Sequence, residues 1–205
     1  MKFQKRDSIR EFLVSWIISI MVVSLVPNPL VNQNNEEPIH IGIIMKGVGR
    51  GLMKCHHLKL QFVVLYRSIL QLTSKNLHFV MLTDKRSVPY LDRLFRKFIH
   101  RDLISKGKSI RVTYDFVDTN TITQKYHGSI NKMRPYFTSN TKAARKYTDD
   151  LFLMGPYYHR VFPYEKFIVL DADLKFRIDI AELYSLFEHF DTQQVCRCIF
   201  DVSVM

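Results

Sequence analysis

Residues 149–190 run DDLFLMGPYYHRVFPYEKFIVLDADLKFRIDIAELYSLFEHF, and the centre of that stretch, Phe167-Ile168-Val169-Leu170-Asp171-Ala172-Asp173, decides the fold. Four apolar residues bounded by polar ones predict a short strand buried on both faces. Two carboxylates, Asp171 and Asp173, close it at positions i and i+2. On an extended backbone such side chains leave on the same side, near enough to share one cation. Oxygen-only ligation suits a hard ion, Mn²⁺ or Mg²⁺, which keeps other positions for water and phosphate oxygens. Beyond the pair, Asp179 with Glu182 three residues later has the form of a capping box. It opens a helix whose apolar face is Leu183, Leu186, Phe187 and Phe190.

Working back from the acidic pair, apolar strands alternate with helical stretches. His40 to Met45 follows Pro38 as a β-branched run, Leu77 to Leu82 forms a second strand and Ile110 to Val117 a third. Between them, Leu58 to Leu72 is apolar nearly all round, which predicts a buried helix. Pro89 behind Ser87 suits the first turn of the next helix. Two more helical stretches are expected, over Thr121 to Phe137 and Ala143 to Phe162. This order implies βαβ units and an α/β, mostly parallel sheet flanked by helices. In such sheets ligands bind beyond the carboxyl ends of the strands. Met45-Lys46-Gly47, Thr83-Asp84 and Asp171-Ala172-Asp173 should therefore surround one crevice. Gly47, Gly49 and Gly51 lack the spacing of a dinucleotide fingerprint or a P-loop.

The 205 residues suffice for one domain with a core. A formal charge of +11 admits nucleic acid, an anionic membrane or an anionic small molecule as partner. Nine of the basic residues fall between Lys85 and Arg111, interleaved with Leu91, Leu94, Phe95, Phe98 and Ile99 at helical spacing. That is the pattern of a helix with one solvated basic face. No helix-turn-helix, zinc-finger or RNA-recognition pattern accompanies it, so nucleic acid is not expected as a partner. Cys55, Cys196 and Cys198 include no C-x-x-C pair, and free thiols are expected. His56 and His57 diverge on a helix and are read, with Cys55, as structural.

The N-terminal residues 1–11 are basic, with Lys2, Lys5, Arg6 and Arg10, and precede an apolar run. Residues 12–31 are expected to form an uncleaved signal anchor with the N-terminus cytoplasmic and the remainder luminal. Residues 32–38 then serve as a polar stem before a domain over 39–190, and 191–205 form a divergent tail.

The core LDADLKF, the preceding YYHRVFP and the following DIAELYSLFEHF resemble glycosyltransferase family 8, and within it a xylose-transferring branch. Weaker similarity runs back through KYHGSINKMRPYF, LHFVMLTD and HIGIIMKG. The resemblance implies a GT-A, Rossmann-like fold, Mn²⁺, UDP-xylose as donor and a retaining transfer. It further implies an acceptor xylose on O-linked glucose of an epidermal-growth-factor-like repeat. The setting it implies is the endoplasmic reticulum membrane, single-pass type II, with the Golgi as alternative. Carried over by position, Asp171 and Asp173 would be metal carboxylates, Ala172 would lie against the donor, and Met45 and Lys46 would line the nucleotide side. Asp149 would face the donor sugar, and His159 and Arg160 could approach it. The family continues with a further strand, an acceptor region, an NSG-type segment and a late histidine for the metal, none of which follows Phe190. A catalytically incomplete chain, acting as a membrane-anchored interaction or regulatory fragment, is the alternative expectation.

Overall fold

Along each central strand the side chains alternate between two helical layers, and this alternation organises the molecule. The computed structural model describes residues 20–24, 37–49, 55–137, 149–190 and 196–199. In chain order the strands are β1 (Ile20–Ser24), β2 (Ile39–Ile44), β3 (Leu77–Thr83), β4 (Val112–Asp118), β5 (Lys166–Leu170) and β6 (Cys196–Ile199). The helices are α1 (His56–Leu72), α2 (Val88–Asp102), α3 (Thr119–Lys125), α4 (His127–Phe137), α5 (Asp150–Leu153) and α6 (Ile180–Ser185). Short 3-10 turns cover Ile104–Lys106, Gly155–Arg160 and Leu186–His189.

The sheet order is β4-β3-β2-β5-β1-β6. The four strands expected from sequence are parallel, with Ile39 opposite Leu77, Leu77 opposite Val112 and Ile41 opposite Ile168. On one face Ile39, Ile41, Ile43, Phe79, Met81, Ile168 and Leu170 pack in one core with Phe62, Tyr66, Leu91, Phe95, Ile180 and Leu183 from α1, α2 and α6. On the other, Val80, Leu82, Phe167 and Val169 meet Ile122, Ile130, Leu153, Tyr158 and Phe162. Gly42 lies on this second face for a steric reason. A Cβ there would come within 2.6 Å of the Phe162 ring, which covers the bare backbone.

Three expectations are corrected. A helix through residues 12–31 does not hold for Ile20–Ser24, which is an extended strand antiparallel to β5, Ile20 facing Leu170 and Ser24 facing Lys166. The remainder of that segment lies outside the described residues. Among the described residues no helix is long and apolar enough to cross a membrane. Within residues 191–205, Cys196–Ile199 form β6, which pairs antiparallel with β1. The physical reason for the β1 strand is that β5 would otherwise present an unpaired edge, which this apolar segment satisfies. Second, the helix expected over Thr121 to Phe137 is two, broken at Tyr126, whose φ of −105° and ψ of 11° leave the helical region. Third, of the helix expected over Ala143 to Phe162, among the described residues 149–162 only Asp150–Leu153 is α-helical before Gly155 and Pro156 turn the chain into 3-10 geometry.

Candidate nucleotide-sugar site

The loops at the carboxyl ends of β2 and β3 are held together by one carboxylate that the sequence reading placed at the crevice without a role. Asp84, just after β3, accepts through Oδ2 from the Gly47 N–H at 2.6 Å and from the Ser87 hydroxyl at 2.7 Å. Its Oδ1 accepts from the Arg86 N–H at 3.2 Å. Ser87 in turn accepts from the Gly49 N–H at 3.1 Å, so the loop after β2 is tied to the start of α2. Burial would raise the Asp84 pKa, but the bonds from Gly47, Ser87 and Arg86 outweigh it and hold the carboxyl below its ordinary range. Two glycines are required for this closeness. Gly47 has φ of +78°, and a Cβ on Gly49 would lie 2.0 Å from the Arg86 carbonyl oxygen. Ser87 is thus a bracing residue, and makes no side-chain cap on α2.

Asp84→Ala should therefore cost about 2 kcal/mol, the scale for losing charge-assisted hydrogen bonds that leave half-buried donors unpaired. Urea denaturation measures it. A loss below about 0.5 kcal/mol, the size of an ordinary surface substitution, would show that the loop stands without Asp84.

The acidic pair sits where the central strand β5 ends. Asp171 and Asp173 are exposed and Ala172 between them is buried. The backbone at Ala172 and Asp173 is a turn, not the extended chain assumed from sequence, so the pair is displayed by a bend over a buried alanine. Tyr158, buried beneath, donates its hydroxyl to the Leu151 carbonyl at 3.1 Å. Its phenol pKa is pushed far up by burial, then by the negative charges of Asp171 and Asp149. Those two carboxylates therefore act on one buried group. Asp149 itself caps α5, accepting from the Leu151 N–H at 2.9 Å.

The other expected residues divide. Lys46 is exposed, with no ion pair among the described residues. Met45 is corrected: its side chain is 1 % exposed and belongs to the core. Its N–H donates to the Leu82 carbonyl and its carbonyl accepts from Thr83, which ties the end of β2 to β3. Arg160 donates to His159 at 3.3 Å and lies over Tyr157. In the Cys55-His56-His57 cluster, Cys55 is a free thiol that donates to the Gly47 carbonyl at 3.1 Å, and His56 and His57 are exposed. Sequence reasoning missed Thr119, the first residue of α3 after β4, whose buried hydroxyl has no hydrogen-bond partner among the described residues. Nothing in its sequence surroundings distinguishes it from an ordinary first-turn threonine.

Among the described residues no three His, Cys, Asp or Glu converge as a metal centre. Asp171 and Asp173 supply an oxygen donor set that fits a hard divalent ion, with further positions left to water and phosphate.

No protein-family model matches the chain. Two curated proteins, xyloside xylosyltransferase 1 of mouse and of human, are each 29 % identical over 117 residues, 56 % of this chain and 28 % of theirs. The crystal structure of the mouse protein in its apo form superposes with a TM-score of 0.57 at 22 % identity. That alignment covers 76 % of this chain and 50 % of the mouse structure. The chain has a GT-A-like α/β fold. Its similarity is to xyloside xylosyltransferase 1, and it matches little more than a quarter of the length of those curated relatives.

Proposed function

We propose that this chain is the nucleotide-sugar-binding part of a retaining, Mn²⁺-dependent glycosyltransferase that takes xylose from UDP-xylose. The acceptor in this reading is a xylose–glucose O-glycan on an epidermal-growth-factor-like repeat, and the setting is the lumen of the endoplasmic reticulum. What carries the proposal is Asp171-Ala172-Asp173 displayed at the end of β5, one strand from the Lys46 loop, in a chain similar to xyloside xylosyltransferase 1.

The residues divide the work by charge. Asp171 and Asp173 would hold the cation, which when bound neutralises the diphosphate and stabilises it as a leaving group. Lys46, exposed on the neighbouring loop, adds a positive charge for phosphate. Asp84 and Ser87 keep that loop in one shape, so little ordering remains to be done on binding. Buried Ala172 brings backbone close to the bound sugar.

Calorimetric titration of UDP with and without Mn²⁺ tests the reading, alongside transfer from UDP-xylose. Asp171→Asn and Asp173→Asn should each reduce the Mn²⁺-dependent gain in UDP affinity at least tenfold, about 1.4 kcal/mol. UDP binding that ignores Mn²⁺, or variants that match the parent, would sink the metal assignment. Mn²⁺-dependent binding without transfer would instead favour a donor-binding fragment.

A further inference from the structure

The opposite end of the molecule carries a surface that the proposed chemistry does not use. Helices α1 and α2 both finish at the end where the parallel strands begin, and there three cations surround one buried carboxylate. Asp102, 2 % exposed, accepts from Arg67 Nε and Arg101 Nη2, each at 3.3 Å, with Lys106 Nζ at 3.8 Å. One negative charge thus organises three positive ones, and their side chains stay 39, 44 and 53 % exposed. Arg101 and Lys97 also lie over the buried Phe98 ring, at 4.6 and 5.9 Å, which fixes their direction further. Beside this net positive cluster stand two exposed apolar side chains. Ile104, on the 3-10 turn after α2, is 64 % exposed, and Leu72, at the end of α1, is 39 % exposed. Lys108 locks the turn to α1 by donating to the Leu70, Gln71 and Thr73 carbonyls.

We propose that this end docks on an anionic phospholipid surface, with Arg67, Arg101, Lys97 and Lys106 among the headgroups and Ile104 entering the acyl boundary. A ring of cations around a protruding apolar residue fits a medium that is anionic outside and apolar just beneath. A dissolved polyanion would satisfy the cations and offer Ile104 nothing. The geometry also sets direction. The strands are about 20 Å long, so docking by this end leaves Asp171 and Asp173 facing away from the surface. The device is independent of any spanning segment.

The test is co-sedimentation of the full chain with vesicles of phosphatidylcholine alone and of phosphatidylcholine with about one-third phosphatidylserine. The parent should partition more strongly to the anionic vesicles, and added salt should weaken this. Ile104→Glu, and separately Lys97→Glu with Lys106→Glu, should each lower the phosphatidylserine-dependent part at least tenfold. Their circular dichroism and their partition to neutral vesicles should stay those of the parent. No phosphatidylserine dependence in the parent overturns the proposal. So does a loss in the lysine variant alone, because an indifferent Ile104 means that the cations respond to surface charge with no apolar entry.

Discussion

Replacing Phe95 by alanine is expected to lower the unfolding free energy by about 3–5 kcal/mol, the range for deleting a fully buried aromatic ring. Phe95 is completely buried at the centre of α2. Its ring stacks on Tyr114 at 4.5 Å, meets Tyr66 at 4.5 Å and Phe79 at 5.5 Å, and lies 5.9 Å from Phe62. One side chain therefore joins α1, α2, β3 and β4. Neighbours held in rotamers by several rings cannot all collapse into the space, so most of the cavity cost should remain. Domains have only about 5–15 kcal/mol in hand, so the variant should lose a large share of its stability. Urea denaturation reads the loss, with Phe95→Leu as the companion. Leucine fills much of the space and should cost about half as much or less. A loss below about 1 kcal/mol for alanine would mean that this core is pliable. The consequence also reaches the site, since α2 begins at Ser87, whose hydroxyl braces Gly49 and Asp84.

Acid should destabilise the fold well before its carboxylates protonate. His40 of β2 faces His78 of β3 in register, and His78 faces Thr113 of β4. Tyr164 stacks on His40 at 3.6 Å and donates or accepts at His78 Nε2 over 2.9 Å. His40 Nδ1 is buried with no hydrogen-bond partner among the described residues. Burial, then repulsion from His78, lowers the His40 pKa to about 4. His78 is lowered also, by burial, with Asp115 at 3.5 Å opposing. Glu37, mostly exposed, lies 3.5 Å from His40 Nε2.

The sign follows from the order of protonation. As the pH falls through about 6.5 the unfolded chain takes up a proton at residue 40 that the folded chain refuses until about 4. Stability is then lost at up to about 1.4 kcal/mol per pH unit, up to about 3 kcal/mol across that window. Asp84 acts at lower pH: its contribution is full above the ordinary carboxylate pKa and is lost progressively as the pH falls from there through its depressed folded value. His40→Phe keeps a ring on Tyr164 and removes the titration. Denaturation midpoints between pH 7 and 4 should fall for the parent and flatten for the variant. An equal slope in both would remove His40 as the cause.

The four parallel strands were legible within one or two residues because β2, β3 and β5 are short apolar runs buried on both faces, while half-buried β4 alternates apolar with polar residues. Asp179 was legible as a helix cap because capping is local, and it does accept the Ala181 N–H. Long-range demands were not legible. Ile20–Ser24 has the composition of a membrane segment and of a strand alike, and only the unpaired edge of β5 selects the strand. Met45 looked available at the end of β2, yet the turn that exposes Lys46 sends its neighbour into the core. Asp84 was placed at the crevice, but its hydrogen bonds to residues 37 positions earlier and three later have no sequence signature. The bend at Ala172 was hidden for the same reason, since two acids after a strand fit an extended chain and a turn equally.

Pairing β1 with β5 has a consequence for timing during synthesis. Ile20 leaves the ribosome early, whereas its partner Leu170 is made 150 residues later. At about 5–20 residues per second the interval is on the order of 8–30 s. Throughout it the β1 segment has no strand to join, because β6 is later still. The parallel strands β2, β3 and β4 can assemble meanwhile with the helices between them. Anything that captures apolar nascent chain meets these residues while they are uncommitted, so their final partner is settled by a race between capture and the arrival of β5.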